Sequence, residues 1–78
     1  MTVCRLDGAV LLNSGIIDYI TTGPTACLKI CLQATRCLSV NYHNPSQVCT
    51  LNNKLDLNWP DDLVVDPEYV HLAGRTCH

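Results

Sequence analysis

Six cysteines and three histidines in a chain of 78 residues are the side chains best equipped for chemistry. Together they could hold zinc, supply a thiolate nucleophile with its base, or close disulfides. The spacing speaks against zinc. Cys27-x3-Cys31 followed by Cys37-x11-Cys49 does not give the paired short knuckles of a tetrahedral site, and His43, His71 and His78 stand far apart in the chain. A cysteine nucleophile needs a free thiolate, which a fully paired set does not leave. Ser14, Ser39 and Ser46 lie in neither a nucleophile elbow nor a Ser-x-x-Lys setting. The acids Asp61, Asp62, Asp66 and Glu68 lack the alternating Asp pattern of a calcium loop and read as a solvated acidic stretch. The expectation is a non-enzymatic chain with no metal and no cofactor.

Disulfides have a physical reason to be here. A chain of 78 residues, read as one domain over residues 1–78, buries only about 60–65% of its unfolded surface. Covalent staples make up what so small a core cannot supply. Six cysteines permit 15 pairings, and spacing alone does not choose among them. Persistent disulfides place the chain in an oxidising compartment, so it is expected to be secreted or extracellular. Met1 reads as the start of an excised stretch, any signal peptide having been removed. No apolar run approaches the ~18 residues of a membrane-crossing helix. A net charge of −2 with only five Lys and Arg speaks against a nucleic-acid or anionic-membrane surface.

The elements that must position these sulfurs can be read in outline. Val3–Arg5 is a short edge strand, Gly8–Asn13 a strand, and Asn13-Ser14-Gly15 a turn. Ile16–Thr21 resumes as extended chain. Thr22-Gly23-Pro24 opens a helix that runs to about Ala34. Cys27, Ile30, Cys31 and Ala34 form its buried stripe, widened by Leu28 and Leu32. Cys37–Tyr42 is a strand whose alternation puts Cys37, Ser39 and Asn41 on one face and Leu38, Val40 and Tyr42 on the other. After the Asn44–Gln47 turn, Val48–Leu51 returns antiparallel. Asn52–Glu68 is expected to be long and irregular, before a last strand Tyr69–Ala73. Two helix cysteines would then face two strand cysteines.

The long segment carries five of the seven acids and the sole tryptophan, Trp59. Trp59 reads most plainly as its anchor, and otherwise as a platform for a sugar ring or a partner. Tyr42 and His43 lead into the hairpin turn as candidate recognition residues; Tyr42 fits equally as core on the side away from the helix. A recognition surface of Trp59, Asp61 and Asp62 with Tyr42 and His43 would prefer a basic or neutral partner.

The run Cys27-x3-Cys31-x5-Cys37-Leu-Ser-Val-Asn-Tyr, followed by Cys49-x-Leu-Asn, resembles the PAN/apple domain family. Asp66-Pro67-Glu68-Tyr69-Val70 also resembles the tail of invertebrate members. The resemblance implies a small disulfide-rich α+β fold, an antiparallel sheet of about five strands with one helix packed across it. It implies the pairs Cys27–Cys49 and Cys31–Cys37, and an outer pair Cys4–Cys77 as in the six-cysteine apple variety. It further implies an adhesion or recognition module for an extracellular protein, or alternatively a glycan-binding module or a structural spacer.

Overall fold

The computed structural model describes residues 2–77. Met1 and His78 lie outside them, and with them the His78 part of the zinc reading. Among the described residues the elements are β1 (Cys4–Leu11), β2 (Gly15–Ile20), α1 (Pro24–Gln33), β3 (Ser39–His43), β4 (Val48–Asn52), a 3-10 turn (Pro60–Asp62) and β5 (Leu63–Ala73). The strands form one antiparallel sheet in the order β1-β5-β3-β4-β2. α1 lies across β3, β4 and β5. This is the small disulfide-rich α+β architecture expected, and no described helix is long and apolar enough to cross a membrane.

The helix begins where Pro24 fixes the first turn, with Gly23 as its N-cap and Cys27 N–H donating to Gly23 O. Cys27, Leu28 and Cys31 are its buried positions, while Ile30 and Ala34 are partly covered and Leu32 is exposed. They meet Val40, Tyr42, Cys49, Leu51, Val70 and Leu72 from the three central strands. Each such side chain contributes about 1.5–3 kcal/mol when fully buried. Three disulfides close the structure: Cys27–Cys49 clamps the helix to β4, Cys31–Cys37 ties its end to the approach to β3, and Cys4–Cys77 joins the two ends of the sheet region.

Three expectations are corrected. First, the segment expected to be irregular from Asn52 to Glu68 is a connection of residues 53–59, the 3-10 turn and the first half of an 11-residue β5. Asp66-Pro67 suggests a loop because proline cannot donate to a ladder. Here it sits in a bulge: Asp7 pairs with Val70 and Ala9 with Val65, so residues 66–69 face Gly8 alone. Gly8 adopts φ +77°, a conformation open to glycine. That bulge also merges the two expected amino-terminal strands into β1. Second, β3 begins at Ser39, not Cys37. Third, Tyr42 faces the helix and is core, with Val40. Cys37 precedes the strand, so its position does not set the alternation. The opposite face of β3, carrying Ser39 and Asn41, is also buried: where the chain crosses from the β1 edge to the β2 edge, the Leu11 backbone bonds to the Asn41 side chain.

Candidate recognition surfaces

The corner carrying Trp59 is built by local backbone bonds. Asn58 N–H donates to Leu55 O, Trp59 N–H to Asp56 O and Asp62 N–H to Trp59 O, which curls residues 55–62 into successive tight turns. Leu12 N–H donates to Asp62 O at 2.9 Å and fastens the corner to the end of β1. Trp59 is thereby held about half exposed, with Lys54 Nζ 4.1 Å from its ring centroid. Leu57 and Asp61 are exposed beside it in sequence, and Asp62 is half-buried. A cation on one face of the indole favours that orientation of the ring.

The hairpin turn is a separate place. His43 accepts or donates at both ring nitrogens: Nδ1 is 2.6 Å from Ser46 Oγ and Nε2 is 3.2 Å from Glu68 Oε1. Its ring lies 4.7 Å from that of Tyr69, and Asn44 N–H donates to Glu68 O. Hydroxyl, imidazole and carboxylate thus lock the turn onto β5. Tyr42, by contrast, is buried, its hydroxyl 3.5 Å from Thr21 O, and presents nothing to a ligand. His43 pairs with Tyr69, whereas Asp61 and Asp62 precede Leu63. Six strand residues lie between, the bulge at residues 66–69 among them. Trp59, Asp61 and Asp62 therefore group together, and His43 does not join them.

Sequence reading missed a buried polar layer on the sheet face away from the helix. Asn41 Oδ1 accepts from Leu11 N–H and from His71 Nδ1, the latter at 2.9 Å. An amide oxygen only accepts, so His71 carries a proton on Nδ1, and the other ring nitrogen is Nε2. That nitrogen is fully buried, makes no hydrogen bond, and lies 3.7 Å from Asp56 Oδ1. Asp56 is itself buried and gripped by the Arg75 guanidinium through Nε and Nη2. Burial, the largest influence on His71, holds its imidazole below the usual range against the pull of Asp56. Burial would raise the Asp56 carboxyl, but the Arg75 hydrogen bond and the nearby charges of His71 and Arg75 outweigh it, and the net shift is downward. A polar alternation in strands, Ser39-x-Asn41 with Asn52, was the available signal; it reads as a solvated face until the crossing connection is known.

All six cysteines are in disulfides, and among the described residues no three His, Cys, Asp or Glu side chains gather as a metal set. A search of the curated proteins finds no match to this chain. The family model described as PAN domain, a class of protein- and carbohydrate-binding modules, matches residues 3–77. That span takes in every element from β1 to β5 and all three disulfides, and on it the chain belongs to the PAN domain family.

Proposed function

We propose that this domain is an extracellular recognition module that binds a protein partner without catalysis, through the corner formed by Leu57, Trp59, Asp61 and Asp62. The observation that carries this reading is Trp59: a half-exposed aromatic ring on a backbone tied down at both Asp56 and Leu12. Rigid aromatic anchors flanked by charge are the side chains that dominate protein contacts. The flanking acids give the corner a negative field, which suits a basic or neutral partner and repels heparin-like glycans. Lys54 occupies one face of the indole, which leaves a single face for stacking and favours a protein over a sugar ring. The exposed Leu57, Trp59 and Val65 depart from the evenly polar surface of a spacer.

The test compares wild type with Trp59→Ala, Asp61→Asn, Asp62→Asn, and with His43→Ala as the variant outside the corner. A pull-down from extracellular extract and a glycan array are run on each. The reading expects a protein partner lost by the triple variant and kept by His43→Ala, with circular dichroism unchanged. A partner retained by the triple variant places the site elsewhere. Salt-sensitive heparin binding by the wild type contradicts the charge argument.

A further inference from the structure

A second surface has the opposite chemistry. At the carboxyl end of α1, a cleft of about 290 Å³ is lined by Leu28, Leu32, Leu38, Leu55 and the Cys31–Cys37 disulfide. Leu32 and Leu38 are each 48% exposed, so apolar carbon reaches the rim as well as the floor. The disulfide fixes the shape of the cleft in advance, which lowers the ordering cost of binding.

The unpaired charges that flank its lining in sequence are positive. From Tyr19 to Leu55 the chain carries Lys29, Arg36 and Lys54 and not one Asp or Glu. Lys29 follows Leu28, Arg36 precedes Cys37 and Lys54 precedes Leu55, so each cation adjoins a lining residue in sequence, while Asp56 and Arg75, which follow Leu55 and Gly74, neutralise each other. None of the three forms an ion pair with an acid among the described residues. The exposed carbonyls ending α1 offset only about half of one charge.

We propose that this cleft receives leucine-type side chains from an acidic peptide segment of a partner protein. The volume is at the lower edge of small-molecule pockets, about 300 Å³, and the cleft is open at the surface, which suits side chains presented by a backbone. Its concave form, with only three nearby cations, suits a lipid surface less well. Lys54 also lies over the Trp59 ring and is shared with that corner, so the leucines with Lys29 and Arg36 are what set this surface apart.

The probe is a short synthetic peptide alternating leucine and glutamate, titrated into ¹⁵N-labelled protein. Expected are amide shifts at Leu32, Leu38, Leu55 and Gly74, with affinity falling as salt rises. A lysine-for-glutamate peptide should leave these amides unmoved. Leu32→Ser with Leu38→Ser should weaken binding at least about tenfold, and Lys29→Glu with Arg36→Glu roughly tenfold. Both leucines and both cations are exposed, so the variants keep the fold. No shifts, shifts confined to other surfaces, equal binding of the lysine peptide, or indifference to the leucine variant would each overturn the proposal. So would the same amides moving with protein concentration alone, which assigns the cleft to a second copy, or binding to phosphatidylserine vesicles in place of the peptide.

Discussion

The side-chain amide of Asn41 holds the backbone of Leu11 as a neighbouring strand would: Oδ1 accepts from Leu11 N–H at 3.0 Å and Nδ2 donates to Leu11 O at 2.8 Å. Both residues are buried, so neither backbone group has water as an alternative. Asn41→Leu should therefore cost about 3 kcal/mol or more, since it orphans two backbone groups and the His71 Nδ1–H at once. Urea unfolding checks it; a loss under about 1 kcal/mol would mean that the crossing connection rearranges freely.

The Asp56–Arg75 pair gives a sharper loss. Arg75→Ala leaves a buried carboxylate without its cation, for roughly 3–5 kcal/mol. Arg75→Ala combined with Asp56→Leu should recover much of that loss in thermal unfolding, because the double variant buries no unpaired charge.

Acid should weaken the fold in two stages. His71 binds a proton more readily in the unfolded chain, with a pKa of about 6.5, than in the folded one, where burial lowers it. Stability then falls as pH drops below about 6.5, by at most about 1.4 kcal/mol per pH unit, until the folded value is reached. Asp56 acts lower. Its stabilisation is complete above the unfolded carboxyl pKa of about 3.9 and is lost as pH falls through its still lower folded value. His71→Leu should remove the first stage and shrink the second without abolishing it, since Arg75 still holds Asp56, as chemical unfolding across pH would record.

The three disulfides should rank by loop and by what they clamp. Loop entropy gives roughly 2.4 kcal/mol for Cys31–Cys37, 3.4 for Cys27–Cys49 and 4.4 for Cys4–Cys77. Replacing Cys31 and Cys37 by Ala should be mildest. Replacing Cys27 and Cys49 should be worse, since both are fully buried and join helix to sheet. The reverse order in thermal unfolding would show that helix docking does not rely on the clamp.

Gln47 closes the β3–β4 turn at φ +60°. A side chain there carries the left-handed penalty, so Gln47→Gly should raise stability by about 0.5–1 kcal/mol. The backbone bonds it makes, Gln47 N–H to His43 O and Thr21 N–H to Gln47 O, do not depend on its side chain.

What could be read in advance followed from period and spacing. Cys27 and Cys31 stand one helical turn apart, and Pro24 marks the turn in front of them, so α1 was legible to within a residue at each end. β5 was not, because Pro67 and four nearby acids are turn-like residues in isolation; only Gly8, nearly sixty positions away in sequence, makes room for the bulge that keeps them in a strand. The buried layer was hidden for the same reason. Asn41, Asn52 and His71 look solvated until the β1–β2 crossing is laid over them. Trp59 and its flanking acids stand out by composition, but their separation from His43 depends on the length of β5.

The Cys4–Cys77 bond has a mechanical meaning. Its Cα atoms are 4.9 Å apart although 73 positions separate them. Tension transmitted along a chain through this domain passes from Cys4 to Cys77 through sulfur, and the β1–β5 ladder lies outside the line of force. The folded body hangs beside that line as a bead on a closed ring, able to keep its surfaces intact while the chain is pulled. Reduction of this one bond would put the sheet into the line and release up to roughly 250 Å of extended chain as it gave way.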